Sequence, residues 1–186
     1  MHGHGAPSNW LTRLAPAPTA GATALDLACG GGRHVRWLAA QGWRVTAIDR
    51  DAQAIADLAP LAQTLVADLE NAPWPLGDRQ FDLVLVTNYL WRPLWQQLRA
   101  CLAPGAMLIY ETFADGQQSV GRPARPDFLL RRGELLEAFR GLRVVAFEDG
   151  FECDPPRFVQ RLAAVNEASA LPEVPRYSLT GPTAKL

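Results

Sequence analysis

Short apolar runs alternate along the chain with segments whose apolar residues recur at helical spacing. Five apolar runs predict β-strands, at residues 24–28, 44–48, 64–67, 81–87 and 107–110. Three segments between them predict helices, at residues 33–41, 52–58 and 94–102. Because strands and helices alternate, the pattern predicts an α/β fold with a mostly parallel, doubly wound sheet and helices on both faces.

The pattern changes after the fifth predicted strand. Residues 133–139 predict a further helix, and residues 143–147 and 158–165 predict two strands rich in β-branched and aromatic side chains. A loop containing Asp154-Pro155-Pro156 joins these two strands. We therefore expect them to form an antiparallel pair at one side of the sheet.

The two ends of the chain differ from its middle. Residues 9–14 predict a short helix capped by Ser8, and a Pro-rich connector follows it. The end of the chain carries prolines among small polar residues, which is typical of a surface tail. These limits divide the chain into an N-terminal segment (1–19), one domain (20–166) and a C-terminal tail (167–186).

A long loop from Thr112 to Asp127 follows the fifth predicted strand, and it is rich in Gly, Pro and Arg. Loops of this length in compact domains usually act as lids or binding loops. Glycines beside Arg122 and Arg125 would give hinges next to cations, so we expect a mobile lid that meets an anionic substrate. The alternative is that these arginines form a solvated surface.

Composition narrows the class of protein further. The 186 residues are 48% hydrophobic and 20% charged, which is typical of a single globular domain. A net charge of −1 excludes a polycation that coats nucleic acid, and the absence of an 18-residue apolar run predicts no membrane span. Three cysteines without a CxxC pair favour a reduced, cytoplasmic compartment. His2 and His4 are interpreted as a solvated chain end, and no metal site is predicted.

Residues 26–32, Asp-Leu-Ala-Cys-Gly-Gly-Gly, follow the first predicted strand. Such glycines permit a tight turn and bring bare backbone against a ligand, and the helix that begins near Arg33 offers free N–H groups. A dinucleotide-binding turn would need a third packing glycine, which is missing here. Asp26 would also repel a pyrophosphate, whereas it suits a cationic group such as an amino-acid ammonium.

Two further acids follow the next two strands. Asp49 ends the second strand, where an acid accepts hydrogen bonds from ribose hydroxyls. Asp68, with Leu69, ends the third strand, where a carboxylate can take the exocyclic amine of adenine while the apolar side chain packs on the ring. The ligand implied contains an amino acid, a ribose and an adenine but no phosphate, which indicates S-adenosylmethionine.

Several of these segments together resemble the class I S-adenosylmethionine-dependent methyltransferases. The resemblance is carried by residues 25–32, Asp49, Asp68-Leu69, Phe81 to Val86, and Leu102-Ala-Pro-Gly105. It implies a Rossmann-like sheet of seven strands in the order 3-2-1-4-5-7-6, with strand 7 antiparallel. Residues 128–135 and 142–149 are similar to the tellurite-resistance methyltransferase-like branch, which methylates small molecules, including tellurium and selenium oxyanions.

These arguments name two groups of candidate residues. For the cofactor they are Asp26, Ala28, Gly30, Gly32, Asp49, Arg50, Asp68, Leu69 and Asn88. For substrate contact or catalysis they are His34, Tyr89, Glu111 and Arg122. Alternatives stay open: Asp49 could cap the next helix, Asp68 could be a turn residue, Arg50 could point to water, and His34 could simply pack at its helix start.

The expected function is transfer of a methyl group to a small molecule, with an anionic or soft acceptor such as a thiol or a selenium or tellurium oxyanion as one candidate class. One alternative is a methyltransferase acting on RNA or protein, although so short a chain leaves little room for a recognition surface. Another is a nicotinamide-dependent oxidoreductase or a non-catalytic nucleotide-binding protein. As partners we expect a small-molecule substrate, no nucleic acid and no membrane, with the protein a monomer or a homodimer.

Overall fold

The computed structural model describes residues 5–167 and 175–180. The strands are β1 (Thr23–Leu27), β2 (Arg44–Asp49), β3 (Ala62–Val66), β4 (Phe81–Thr87), β5 (Leu102–Phe113), β6 (Arg143–Cys153) and β7 (Pro156–Val165). The helices are α1 (Asn9–Leu14), α2 (Arg33–Ala40), α3 (Ala52–Ile55), α4 (Trp95–Ala100) and α5 (Glu134–Ala138). Four short 3₁₀ turns lie at Ala56–Leu58, Arg92–Leu94, Gln117–Ser119 and Pro126–Phe128.

The seven strands form one sheet in the order β3-β2-β1-β4-β5-β7-β6. The first five strands are parallel, and β7 runs antiparallel to both β5 and β6. The predicted fold class and strand order are therefore confirmed. The order reverses between β1 and β4, so the carboxyl ends of these two strands flank the switch point where ligands bind in such sheets.

Strand β5 is much longer than the predicted segment 107–110. It begins at Leu102, which pairs with Phe81 of β4, and it continues to Phe113, which pairs with Val159 of β7. Pairing with β4 and β7 extends the strand through residues whose own sequence predicts a helix end and a loop. The predicted loop at 112–127 therefore begins two residues later than expected.

Helix α1 has the predicted bounds and the predicted cap. The Ser8 hydroxyl oxygen accepts a hydrogen bond from the N–H of Trp10 at 3.1 Å. Trp10, Leu11 and Leu14 are buried against the sheet face that also receives α2. Helix α1 is thus part of the core.

Some predictions fall outside the described residues, namely His2, His4 and most of the C-terminal tail. Within the described part of the chain, none of the helices has the length and hydropathy needed to span a bilayer. The cysteines at 29, 101 and 153 are all free thiols.

Candidate functional site

The main cleft lies beyond the carboxyl ends of β1, β2, β3 and β4 and has a volume of about 360 Å³. Seven of the predicted site residues line it: Ala28, Asp49, Arg50, Asp68, Leu69, Asn88 and Tyr89. Ala67, Glu70 and Phe128 complete the lining. The sheet order brings these residues together because β1 lies between β2 and β4.

A second hollow of about 280 Å³ adjoins the cleft along the glycine turn. It is lined by Ala28, Cys29, Gly30, Gly31, Arg33, His34, Thr87 and Asn88. Ala28 and Asn88 line both spaces, so the cleft and the hollow form one continuous surface. An elongated ligand could occupy both.

Ala28 and Asn88 adopt a left-handed backbone conformation, with φ of 54° and 53°. Such a conformation costs a residue with a side chain about 1 kcal/mol or more. The two residues follow adjacent strands and lie at the centre of the combined surface. Backbone strain is thus concentrated where the two spaces meet.

Gly30 and Gly32 serve different purposes, although the sequence predicts that both contact the cofactor. Gly30 has a φ of 52°, and a Cβ added there would project into open space at the hollow. Gly32 is buried, and a Cβ there would lie 2.4 Å from the side chain of Leu58. Gly32 therefore permits close packing behind the turn, and the glycine that lines the hollow beside Gly30 is Gly31.

Asp26 is fully buried beneath the glycine turn, on β1. Among the described residues, neither of its carboxylate oxygens has a hydrogen-bond partner. Burial, reinforced by Asp49 and opposed by Arg33, raises the pKa of Asp26 to about 8. A buried carboxylate without a partner is costly unless a ligand supplies one.

The Asp49 carboxylate accepts hydrogen bonds from the backbone of the glycine turn and from the backbone that follows β2. One carboxylate oxygen accepts the N–H of Gly30 at 2.8 Å and the other accepts the N–H of Asp51 at 3.0 Å. Each carboxylate oxygen has a second acceptor site, so Asp49 can still receive hydroxyl groups. The helix cap suggested as its alternative role belongs to Asp51, which accepts the N–H groups of Gln53 and Ala54.

Asp68 lines the cleft and also holds a turn. Its carboxylate accepts the side chain of Asn71 at 2.9 Å and the backbone N–H groups of Glu70 and Asn71 at 2.9 and 3.2 Å. These hydrogen bonds, that of the Asn71 side chain first, lower the pKa of Asp68 below its usual value. Asp68 therefore has the predicted turn role, and its contact with adenine stays a prediction.

His34 is the second residue of α2 and is buried at the hollow. Its Nδ1 lies 3.3 Å from the Thr87 hydroxyl, whereas its Nε2 has no partner among the described residues. Burial, with a contribution from Arg33, lowers the pKa of His34 to about 3. The imidazole is therefore neutral at physiological pH.

Tyr89 separates the cleft from a third, smaller pocket of about 200 Å³. The two spaces share Glu70, Asn88, Tyr89 and Phe128, and the smaller one adds Leu90, Thr112, Phe113 and Pro123. The Tyr89 hydroxyl is buried and has no partner in the described parts of the chain. Burial, followed by the charges of Glu70 and Asp68, raises the pKa of this phenol.

Glu111 does not line any of these three spaces. Its carboxylate is buried on the sheet face covered by α1, where it accepts the Ser8 hydroxyl and pairs with Arg161. Arg161 also bonds to Glu148 and Glu152, and Arg157 pairs with Glu152. This cluster of Ser8, Glu111, Glu148, Glu152, Arg157 and Arg161 is called the ionic cluster below.

Arg122 is exposed, and it lies outside all three spaces. Two other arginines near this segment have partners: Arg125 pairs with Asp127, and Arg131 with Glu134. Arg92, which follows β4, pairs with Glu134 at 2.7 Å. It also donates to the carbonyl oxygens of Asp127 and Leu129 at 2.7 and 2.8 Å.

Several residues of the site are not among the candidates that the sequence predicts. Glu70 directly follows Asp68-Leu69, so its position could have been noticed, but nothing in the sequence indicated its lack of a partner. Phe113 lies in the extended part of β5, and Phe128 is brought in by a distant turn. These two required knowledge of the strand extension and of the segment after β5.

Comparison with known proteins agrees with this geometry. Residues 24–105 match a family model described as a methyltransferase domain. This match supports the predicted methyltransferase family and enzyme class. S-adenosylmethionine is the cofactor of such a domain, as the sequence predicts. No curated protein matches the sequence.

Solved structures share the fold at low sequence identity. TehB from Haemophilus influenzae has a TM-score of 0.64 and 17% identity over 79% of this chain, which spans 58% of the TehB chain. An S-adenosylmethionine-dependent methyltransferase from Mesorhizobium loti has a TM-score of 0.62 and 19% identity, covering 78% of this chain and 91% of that one. A chain of the complex between the Haloferax volcanii Trm112 methyltransferase activator and a putative methyltransferase has a TM-score of 0.66 and 16% identity, covering 87% and 88%.

Proposed function

We propose that the protein transfers the methyl group of S-adenosylmethionine to a small-molecule acceptor. The observation that carries the proposal is the unpartnered, buried carboxylate of Asp26 beneath the glycine turn. A cofactor with an amino-acid ammonium supplies the positive charge that this carboxylate lacks, whereas a phosphate-bearing nucleotide would be repelled.

The other residues fit the same cofactor. Gly30 leaves the hollow open for the amino-acid part, and His34 and Asn88 lie along its walls. Asp49 would receive the ribose hydroxyls, while Asp68 and Leu69 would contact the adenine beside Arg50. Ala28 lies where these parts of the ligand would join.

The bound cofactor supplies a methyl group already activated by a sulfonium. The chain's own task is then to orient the acceptor and to exclude water. His34, with its pKa lowered by burial, stays uncharged and can accept a hydrogen bond through Nε2. Tyr89 stays a neutral phenol that borders both the cofactor cleft and the smaller pocket.

The smaller pocket supports a small acceptor, because it adjoins the cleft and its volume is about 200 Å³. The predictions of an anionic or soft acceptor and of direct roles for Glu111 and Arg122 remain predictions. They receive no support from the positions of these two side chains, since neither lines the pocket.

Calorimetry with S-adenosylmethionine, S-adenosylhomocysteine and NADH would test the proposal, together with transfer of a labelled methyl group to a metabolite pool, RNA and cell protein. We expect both sulfur ligands to bind, NADH not to bind, and label to appear in small molecules. Binding of NADH alone would contradict the proposal, and label in RNA or protein alone would reassign the acceptor.

A further inference from the structure

The pocket beside the cleft contains a single charged residue among the described residues that line it. That residue is Glu70, and no hydrogen-bond or ion-pair partner for its carboxylate exists in residues 5–167 and 175–180. Asp49, Asp68 and Glu70 also line the adjoining cleft, where Arg50 is the lone cation among the lining residues. The entrance shared by the two spaces therefore favours positive charge.

The other walls of the pocket are mostly aromatic or apolar, and Asn88 and Thr112 add uncharged polar groups. Tyr89, Phe113 and Phe128 contribute three aromatic rings, and Leu90 and Pro123 complete the apolar lining. The electron-rich faces of aromatic rings attract cations, and more strongly when water is excluded. Rings beside an unpaired carboxylate are therefore a suitable environment for an ammonium group.

Among the described residues, no arginine lines the pocket to bind an anion. Arg92 and Arg131 pair with Glu134, and Arg125 pairs with Asp127. Arg122 is exposed and does not line the pocket. An anionic acceptor would meet Glu70 without any lining cation to offset the repulsion.

We propose that the acceptor is an amine carried on a small apolar or aromatic body, recognised by Glu70 and by the rings of Tyr89, Phe113 and Phe128. This inference rests on the proposed function, because the pocket is an acceptor site only if the cleft holds the methyl donor. It deepens that function by naming the chemical class of the acceptor.

The transfer step requires only the amine, the methyl donor and a proton acceptor. The arriving ammonium first gives a proton to the Glu70 carboxylate or to water. The nitrogen lone pair then forms the new N–C bond while the S–C bond breaks and its electron pair returns to sulfur. The methylated amine is thereby an ammonium that carries the positive charge lost by the sulfonium, and the proton released first passes from Glu70 to water.

Three probes of equal ring size and different charge test the proposal: benzylamine, benzyl alcohol and benzoate, titrated by calorimetry into protein saturated with S-adenosylhomocysteine. We expect benzylamine to bind roughly tenfold more tightly than benzyl alcohol and benzoate to bind most weakly, as cation–π and ionic contacts together imply. Tighter binding of benzoate than of benzylamine would overturn the proposal.

Glu70→Gln should weaken benzylamine roughly tenfold and leave benzyl alcohol unchanged, because only the charged probe uses the carboxylate. Glu137→Gln is the matched control, since Glu137 is exposed on α5 and lies outside the pockets. Equal loss in both variants, or no loss in Glu70→Gln, would refute the role of Glu70. The affinity for S-adenosylhomocysteine, measured first on each variant, separates the two proposals: if it binds and benzylamine does not, only the amine proposal fails.

Discussion

Asp26 and Glu111 are both buried carboxylates at the carboxyl end of the same sheet, with exposed fractions of 0% and 1%. Glu111 is surrounded by the ionic cluster and has partners for both oxygens. Asp26 has none among the described residues. Burial alone does not indicate function: the paired carboxylate stabilises the fold, and the unpaired one is free to receive a ligand.

The largest expected effect is on stability, and it comes from substituting Glu111, the carboxylate that has partners. Glu111→Ala should lower the free energy of unfolding by about 3–5 kcal/mol, because it leaves Arg161 buried beside an unfilled position. Urea denaturation would measure the loss. Glu111→Gln, which keeps the shape and can still bond to Ser8, should lose less. A change below 1 kcal/mol in Glu111→Ala would show that the ionic cluster does not hold α1 to the sheet.

Substitution of Asp26, the carboxylate without a partner among the described residues, should change cofactor affinity and protein stability in opposite directions. Asp26→Asn should weaken S-adenosylmethionine binding by about 1.5–3 kcal/mol, the usual range for a hydrogen bond to a charged group. The free protein should become more stable at pH 7, because Asn removes the cost of burying an ionisable carboxylate. Calorimetry and urea denaturation test the two halves. Unchanged affinity in this variant would place the ammonium elsewhere.

Asp49→Ala should weaken cofactor binding by about 1–3 kcal/mol through loss of the bonds to the ribose. Because Asp49 also holds the N–H of Gly30, part of this loss would come from a looser turn. Asp51→Ala is the control, since it removes the cap of α3 without touching the cleft. Equal affinities in the wild type and Asp49→Ala would exclude ribose contact.

The affinity for the cofactor should depend on pH through Asp26. Its pKa in the free protein is raised to about 8, so the carboxyl is protonated at pH 6 and must ionise to meet an ammonium. Affinity should therefore rise with pH by up to about 1.4 kcal/mol per unit below pH 8 and level off above it. The same raised pKa implies that the stability of the free protein declines between pH 4 and 8.

Calorimetry at several pH values measures this slope. The Asp26→Asn variant provides its control, because it cannot take up or release that proton. A slope that persists unchanged in the variant would assign the titration to another group.

The smallest effect concerns backbone strain. Ala28→Gly should stabilise the free protein by about 0.5–1 kcal/mol, because glycine adopts a φ of 54° without steric cost. The gain is partly offset by the greater freedom of glycine in the unfolded chain. A thermal melt detects the difference. A fall in melting temperature would mean that the Ala28 methyl packs usefully between the cleft and the hollow.

The fold and the cofactor residues could be predicted because they depend on local order along the chain. Asp26, Asp49 and Asp68 lie at or near the carboxyl ends of three strands, and parallel strands bring such ends to one edge. The ionic cluster could not be found in this way, since Glu111 and Arg161 are 50 residues apart. Strand alternation did hold a clue, because Glu111 shares a face with Ile109, which is buried with α1.

The acceptor pocket could not be predicted from the sequence for a different reason. The arginines in residues 122–132 predict an anionic substrate, because the sequence gives the charge of each side chain but not its ion-pair partner. Arg125 and Arg131 pair with nearby acids, while Glu70, which follows β3, has no partner for its carboxylate within the described residues. Similarly, Gly30 and Gly32 look equivalent in sequence, and only the position of Leu58 distinguishes them.

Arg92 holds the backbone on either side of Phe128, through the carbonyl oxygens of residues 127 and 129. These hydrogen bonds do not involve the Phe128 side chain. Residue 128 can therefore be substituted while the main chain keeps its position. A wall position of this kind is open to natural variation and to laboratory redesign. Smaller or differently shaped residues at 128 would let related proteins accept new molecules without rebuilding the methyl-donor site.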